Sequence, residues 1–315
     1  MSSIVVGVLS GHFLDHSKEN PFPNEKRSID YALFSKVGKE KGVRVVVGSI
    51  RNVDCKILKE AHEFIKGEWK KIGEVKIDVI LDRSLTTPKL NKFKKEITKT
   101  VPILNDPDLN LICWDKYSYK KLFPEYVPQT FLVNNKEELV KVVDKIKSNK
   151  IVLKPRFGIM GNKIRIVDKN KIPDDVKHNT VVQEFIETSE GVKELGIVGI
   201  HDVRTVLINH HIDHCYIRVS SHGLTSNITQ GGLVHHVDVN KIPKSLLKII
   251  KEVSTKLKKY EPSLYTVDCA FTNEGKPVLI ELESIPGMRL AYENHKKLGK
   301  KFMEDVFDLL KQKIK

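Results

Sequence analysis

The sequence predicts an α/β protein built from more than one packed part, on three observations. Over the first hundred residues short apolar runs alternate with amphipathic stretches; after VPILNDP that alternation gives way to two helical stretches and a strand; from about Val181 the chain is rich in strands and closes with two helices. At 315 residues the chain is also longer than one ordinary core serves, so two or three subdomains are expected.

The apolar runs SIVVGVL, VRVVVGSI and IDVILDRS have strand length and are rich in β-branched residues, while SIDYALFSKVGKEKG and KILKEAHEFIKGEWKKIG between them read as helices. Strand and helix in turn predict a parallel sheet flanked by helices. Gly42 and Gly73 stand where helix C-terminal caps would. A short helix near 108–123, a helix near 136–148 and the strand IVLKP follow. HDVRTVLINHHIDHCYIRVSS, residues 201–221, reads as two strands, and the closing helices cover about 243–259 and 298–313. Neither an internal repeat nor a low-complexity linker interrupts this order.

Composition narrows the class. Hydrophobic residues make up 40% and charged residues 30%, a globular balance and not a disordered one. No run approaches the continuous apolar length of a membrane helix, and MSSIVVGVLSGHF lacks a basic leader, so a cytoplasmic protein without a membrane partner is expected. Cys55, Cys113, Cys215 and Cys269 lie far apart with no CxxC pair, which signals neither a disulfide framework nor a structural zinc site. The net charge of +14 favours an anionic partner, polyanion or nucleotide alike. Because the lysines are scattered and form no single block, nucleic acid is the less favoured of the two.

The most informative segment is LYTVDCAFTNEGKPVLIELESIPGM, residues 264–288. It reads as two strands with the turn in Asn273 to Lys276. Alternation puts Tyr265, Val267, Cys269 and Phe271 on one face with Val278, Ile280 and Leu282, and Thr266, Asp268 and Ala270 on the other with Leu279, Glu281 and Glu283. A turn centred between Glu274 and Gly275 sets Asp268 opposite Glu281 and Thr266 opposite Glu283. Like charges so placed repel unless compensated. A divalent cation that prefers oxygen ligands, magnesium before zinc, compensates them; a solvated face of acids paired with lysines is the plain alternative.

IVLKPRFGIMGNKIRIV, residues 151–167, has a strand ending in Lys154 and a loop carrying Gly158 and Gly161. Glycines let backbone amides approach phosphate oxygens, and the lysine supplies a point charge; an ordinary hairpin would look the same. Neither GxxxxGK[ST] nor GxGxxG occurs, so the familiar phosphate-binding folds are disfavoured. Arg204 and Arg218 hold alternating, inward-capable positions, where a guanidinium suits an acyl phosphate or a carboxylate, or a plain ion pair. Seven of the 12 histidines fall between His201 and His236, but on strands and turns without an HExxH helix, so zinc is disfavoured there. No Ser/His/Asp or Cys/His arrangement for a protein nucleophile can be picked out.

The hairpin resembles the C-terminal metal-binding segment of the ATP-grasp superfamily, as found in RimK-type glutamate ligases, glutathione synthetase-like enzymes and YheC/YheD-like proteins. Asp268, Glu281 and Glu283, followed by Ser284, Pro286 and Gly287, take the positions of that motif, with Glu283 where the family usually has asparagine. The resemblance covers about residues 100–290. It implies an ATP-grasp fold: a preceding α/β domain over 1–106, a small α+β ATP-clamp subdomain over 107–187 and a C-terminal antiparallel-sheet subdomain with flanking helices over 188–315, which carries the metal site. It also implies ATP and magnesium as cofactors, with two ions and manganese as a substitute.

By the same resemblance VVQEFIE, residues 181–187, binds adenine: Gln183 and Glu187 belong to the segment, Glu184 accepts from the amino group, and the backbone near Phe185 and Ile186 reads the ring edge. Lys116 and Lys154 reach phosphates. Asp202 aligns with an acidic ribose-binding position, with Glu187 and Glu190 as competitors. TSNITQGG resembles an SNxxxGG stretch that sets Asn227 near the triphosphate. The reaction implied is that of a carboxylate–amine ligase: ATP phosphorylates a carboxylate, and an amine attacks the acyl phosphate. Arg204 and Arg218 are the catalytic candidates, and the partners are a small carboxylate and an amine or a peptide, with a homo-oligomer left open. A YheC/YheD-like structural or nucleotide-sensing role, and a basic nucleic-acid-binding protein, are the alternatives.

Overall fold

A computed structural model describes residues 3–10, 14–158, 164–221, 223–224, 233–288 and 295–314. The chain forms two compact units. The first comprises Met1–Leu111, Tyr260–Leu264 and Ser284–Lys315, and the second Ile112–Lys259 and Tyr265–Glu283.

In the first unit β1 (Ile4–Ser10) is followed by α1 (Glu25–Glu40), β2 (Val43–Ser49), β3 (Val53–Asp54), β4 (Ile57–Ile65), β5 (Glu68–Lys76), β6 (Val79–Asp82), α2 (Pro88–Thr98) and β7 (Ile103–Leu104). The sheet order is β3-β4-β2-β1-β6-β7, with β5 on β4. β2, β1, β6 and β7 run parallel, as the alternation predicted. Asn24 caps α1 by accepting from the Arg27 N–H at 3.1 Å, and Gly42 ends it at φ +70°. Thr87 caps α2 ahead of Pro88, whose missing N–H costs a first helical turn nothing.

The stretch 57–76 departs from the helix expected there. It is an antiparallel hairpin, β4 with β5, turned at Lys66 and Gly67 with φ of 50° and 96°. Two left-handed residues in a two-residue loop match the twist of the strands they join. The lysines and glutamates spaced along it mimicked a helix face, while Phe64, Ile65, Trp69, Ile72 and Val75 carried the strand signal. Gly73 therefore caps no helix; it lies in β5 at a register shift, with φ 78°.

Apolar layers cover both faces of the parallel strands. Ile97 and Val101 pack with Leu9, Val46 and Ile80 on one side. On the other, Phe34 of α1 stacks on Phe307 of the C-terminal helix (Lys296–Ile314), with ring centroids 4.3 Å apart. Gly38 permits that approach: a Cβ there would lie 2.8 Å from both Phe307 Cζ and Val45 Cγ2. Gly38→Ala is expected to cost about 1–3 kcal/mol through overpacking, read as a lower urea midpoint with an unchanged slope.

The second unit starts within α3 (Pro107–Trp114) and continues with α4 (Ser118–Leu122), β8 (Thr130–Val133), α5 (Lys136–Val143), β9 (Lys150–Pro155), β10 (Arg165–Asp168) and β11 (Thr180–Glu184). These strands make a sheet of order β10-β9-β11-β8, whose apolar face packs Ile151, Leu153 and Val182 against Leu139 and Val143 of α5. Then come β12 (His201–Ile208), β13 (His211–Val219), β14 (Leu233–Val237), α6 (Lys244–Leu257), β15 (Leu264–Phe271) and β16 (Pro277–Glu283), in a sheet of order β14-β13-β12-β15-β16. The hairpins β12–β13, β13–β14 and β15–β16 are antiparallel. Among the described residues no helix is long and apolar enough to cross a membrane.

Candidate functional site

The β15–β16 hairpin reaches the expected acid pairing by a different route. A tight turn at Glu274 and Gly275 would pair Phe271 with Val278, but Phe271 pairs with Pro277. A bulge between Asp268 and Cys269 absorbs the difference, so Asp268 stands opposite Glu281 and Thr266 opposite Glu283. Bulges of this kind re-aim side chains within a ladder.

Asp268 is almost fully buried and accepts from both arginines of the neighbouring strands. Arg204 Nε lies 2.8 Å from its Oδ1, Arg204 Nη2 2.5 Å and Arg218 Nη2 3.0 Å from its Oδ2, and Thr266 Oγ1 donates to Oδ1 at 3.0 Å. Arg218 also grips Asp202, with Nε 2.6 Å and Nη2 2.5 Å from its two oxygens. Two acids and two guanidiniums thus form one buried, charge-balanced network. Burial works against the Asp268 carboxylate, but the two guanidiniums prevail and hold it below its ordinary range. Burial lifts Asp202 above its ordinary range in spite of Arg218.

Asp268, expected among the metal ligands, accepts here from guanidinium donors, and Asp202, expected at a ribose, is the second anion of Arg218. Arg204 and Arg218 do point inward, onto these acids, with only 13% of each side chain exposed. Glu281 and Glu283 stand at alternate positions of β16, Glu281 with 33% of its side chain exposed. Among the described residues no group of three or more His, Cys, Asp or Glu is arranged to hold a metal ion. In the histidine-rich stretch, the buried His201 accepts at Nε2 from the Phe271 N–H at 3.1 Å, and His210 shares a hydrogen bond with the Tyr265 hydroxyl.

The clamp sheet supplies positive charge. Lys154, buried in β9, donates to Gln183 Oε1 on β11 at 2.8 Å, a diagonal cross-strand contact, and Gln183 Nε2 donates to Thr130 Oγ1 at 2.9 Å. A neutral amide is a poor counter-group for a buried ammonium. Burial pushes the Lys154 amine down to about 8, with Glu281 pulling up and Lys116 pushing further down. Lys116 donates to Gly158 O at 2.7 Å and pairs with Glu281 at 3.0 Å. Lys116, Lys154 and Glu281, far apart in sequence, therefore act on one another electrostatically.

Two residues that the sequence did not single out fix this arrangement. Arg156 makes a bidentate pair with Asp115, at 2.8 and 2.6 Å, and its carbonyl accepts from the Lys116 N–H at 3.1 Å. The segment before the glycine loop and the turn carrying Lys116 are thereby joined. Their nearness to Lys154 and Lys116 was the available clue; nothing in the sequence pairs positions so distant. Tyr119 adds a tie, donating to Leu282 O at 3.1 Å between the two glutamates of β16.

Glu184 ends β11 half-buried, while Glu187 is exposed. The Phe185 N–H is engaged, donating to Ser148 Oγ at 3.2 Å and Lys150 O at 3.4 Å. Gly161, and Asn227 with the rest of TSNITQGG, lie outside the described residues.

Comparison with known proteins agrees with the fold. The family model described as RimK-like ATP-grasp domain matches residues 119–304. No curated protein matches the chain. Among solved structures the chain is similar to D-alanyl-alanine synthetase A from Vibrio cholerae O1 biovar eltor str. N16961, with a TM-score of 0.67 and 11% identity over 100% of this chain and 99% of that one. A RimK domain ATP-grasp protein from Sphaerobacter thermophilus DSM 20745 gives 0.61 and 14% identity over 96% and 98%. A RiPP-associated ATP-grasp ligase from Chryseobacterium gregarium, in complex with ADP and a leader and core peptide, gives 0.61 and 15% over 99% and 97%.

Proposed function

The chain belongs to the RimK-like ATP-grasp family, and from that premise we propose that it is a carboxylate–amine ligase that uses ATP and forms an amide through an acyl phosphate. The observation that carries this reading is the Lys154 amine, buried against a neutral amide and flanked by Lys116, an arrangement complete only with an anion beside it. A triphosphate supplies that anion. Glu184 and the backbone at Ile186 take the adenine, and the exposed Glu187 takes the ribose in place of the engaged Asp202.

In the reaction an oxygen of the substrate carboxylate attacks the γ-phosphorus and ADP leaves. The amine then attacks the acyl carbon, the C–O bond to phosphate breaks with its electron pair on phosphate, and the nitrogen loses a proton. No protein nucleophile is needed. Lys116 and Lys154 hold the phosphates and offset their charge, and the Arg204–Arg218 pair, fixed by Asp268 and Asp202, presents a positive edge to the reacting carboxyl group. Glu281 and Glu283 would hold magnesium, which when bound neutralises phosphate charge.

Release of ADP on adding a carboxylate and an amine, followed by a coupled assay, tests the reading. Nucleotide binding without any ADP release under a broad panel of both substrates would favour a sensing role. Glu281→Ala is expected to abolish turnover in a chain that still folds, read as a retained cooperative melting transition. Unchanged turnover would remove Glu281 from the metal.

A further inference from the structure

In the first unit the crossovers that follow β1 and β6 leave in opposite directions. β1 leads through α1 to β2 on one side, and β6 leads through α2 to β7 on the other. Open parallel sheets bind ligands in the crevice outside the carboxyl ends of the strands at such a reversal. Those ends are Ser10 and Asp82, and Arg83 follows at once, its N–H donating to Leu9 O at 2.7 Å.

Asp82 does not neutralise its neighbour. Its carboxylate is fully buried and taken by Lys94 Nζ at 2.6 Å, Asn110 Nδ2 at 3.0 Å, and the N–H and Oγ of Ser84 at 2.9 and 2.6 Å. Lys94 also donates to Thr86 Oγ1 at 2.7 Å, so the loop carrying Arg83 is pinned on both sides. Arg83 itself is half-buried and held by neutral acceptors only: Nε donates to the Tyr31 hydroxyl at 3.2 Å and Nη1 to Pro286 O at 3.0 Å. Among the described residues it has no carboxylate partner, and its Nη2 makes no hydrogen bond. Two residues before Pro286, the buried Ser284 hydroxyl also lacks a partner among the described residues.

A guanidinium oriented by two neutral groups and left without a counter-charge is built to receive an anion. Its planar fork matches a carboxylate. The Tyr31 hydroxyl, whose oxygen accepts from Arg83, keeps its proton to give to the same ligand, and stacking on Phe22 with centroids 5.2 Å apart fixes its ring. We propose that the crevice at the carboxyl ends of β1 and β6 binds an amino-acid carboxylate through Arg83 and Tyr31. This names the substrate class of the ligase and rests on that reading for its purpose, though the binding itself needs neither nucleotide nor metal.

The test is carboxyl-resonance broadening in a uniformly 13C-labelled amino-acid mixture, added to the full chain without ATP or magnesium. Broadening of at least one carboxyl signal is expected, with affinity lowered about tenfold or more in Arg83→Gln, less in Tyr31→Phe, and partly retained in Arg83→Lys, which keeps the charge without the fork. Melting curves confirm that each variant folds, and Arg83→Lys serves should Arg83→Gln not fold. No broadening with the unaltered protein, or equal broadening in it and both Arg83 variants, overturns the proposal. Binding of inorganic phosphate but of no amino acid overturns the carboxylate assignment. Arg83-dependent broadening in a protein that never releases ADP would defeat the ligase reading and leave this site standing.

Discussion

Lys154→Met is expected to weaken ATP binding by about 2–5 kcal/mol, the cost of truncating one partner of a buried charge pair, or about 30-fold and more, without lowering the melting temperature. The amine stands in the interior beside Gln183 Oε1, and in the absence of an anion its charge is a burden there. The pH dependence has a defined sign. Burial depresses the folded-state value to about 8 from 10.5, so between those values the unfolded chain holds a proton that the folded one has shed. The contribution of Lys154 to stability is therefore present above 10.5 and lost as pH falls through about 8. Nucleotide affinity moves the other way, falling as pH rises through the same region. Calorimetry near that pH in two buffers of different ionisation heat should show proton uptake on ATP binding; the same observed heat in both buffers would mean that Lys154 does not face the phosphates.

Asp268→Ala is expected to cost about 3–5 kcal/mol of stability before any ligand is added, because it strands the Arg204 guanidinium in a buried network while Arg218 keeps Asp202. Urea unfolding monitored by circular dichroism measures it. Adding Arg204→Met to Asp268→Ala should restore much of the loss, since it removes the stranded charge. A residue serving only as a metal ligand would behave in reverse, with apo stability maintained or increased once a repelling carboxylate is gone, and that result would return Asp268 to the metal.

What was legible in the sequence followed from local periodicity. The parallel strands, the two arginine-bearing strands and the acid pairing of the last hairpin could be read because alternation with period two leaves a pattern wherever one face is buried. The 57–76 hairpin escaped because its surface is crowded with lysine and glutamate, residues at home on a helix, and the Lys66–Gly67 turn is a short signal. Partner choice was the harder part. Sequence shows that Asp268 and Glu281 face each other, but not that guanidiniums from β12 and β13 bond to Asp268. The Asp115–Arg156 latch was invisible for the same reason, since its members meet only after two separate segments have folded.

The first unit is discontinuous: its core helix, stacked on α1 through Phe34 and Phe307, follows the whole of the second unit in the chain. As the chain leaves the ribosome, the earliest strands emerge with one apolar side uncovered and stay so until that helix has been made. The unit whose strands are made first is thus the later of the two to mature, and it is the one that a chaperone would shield in the interval.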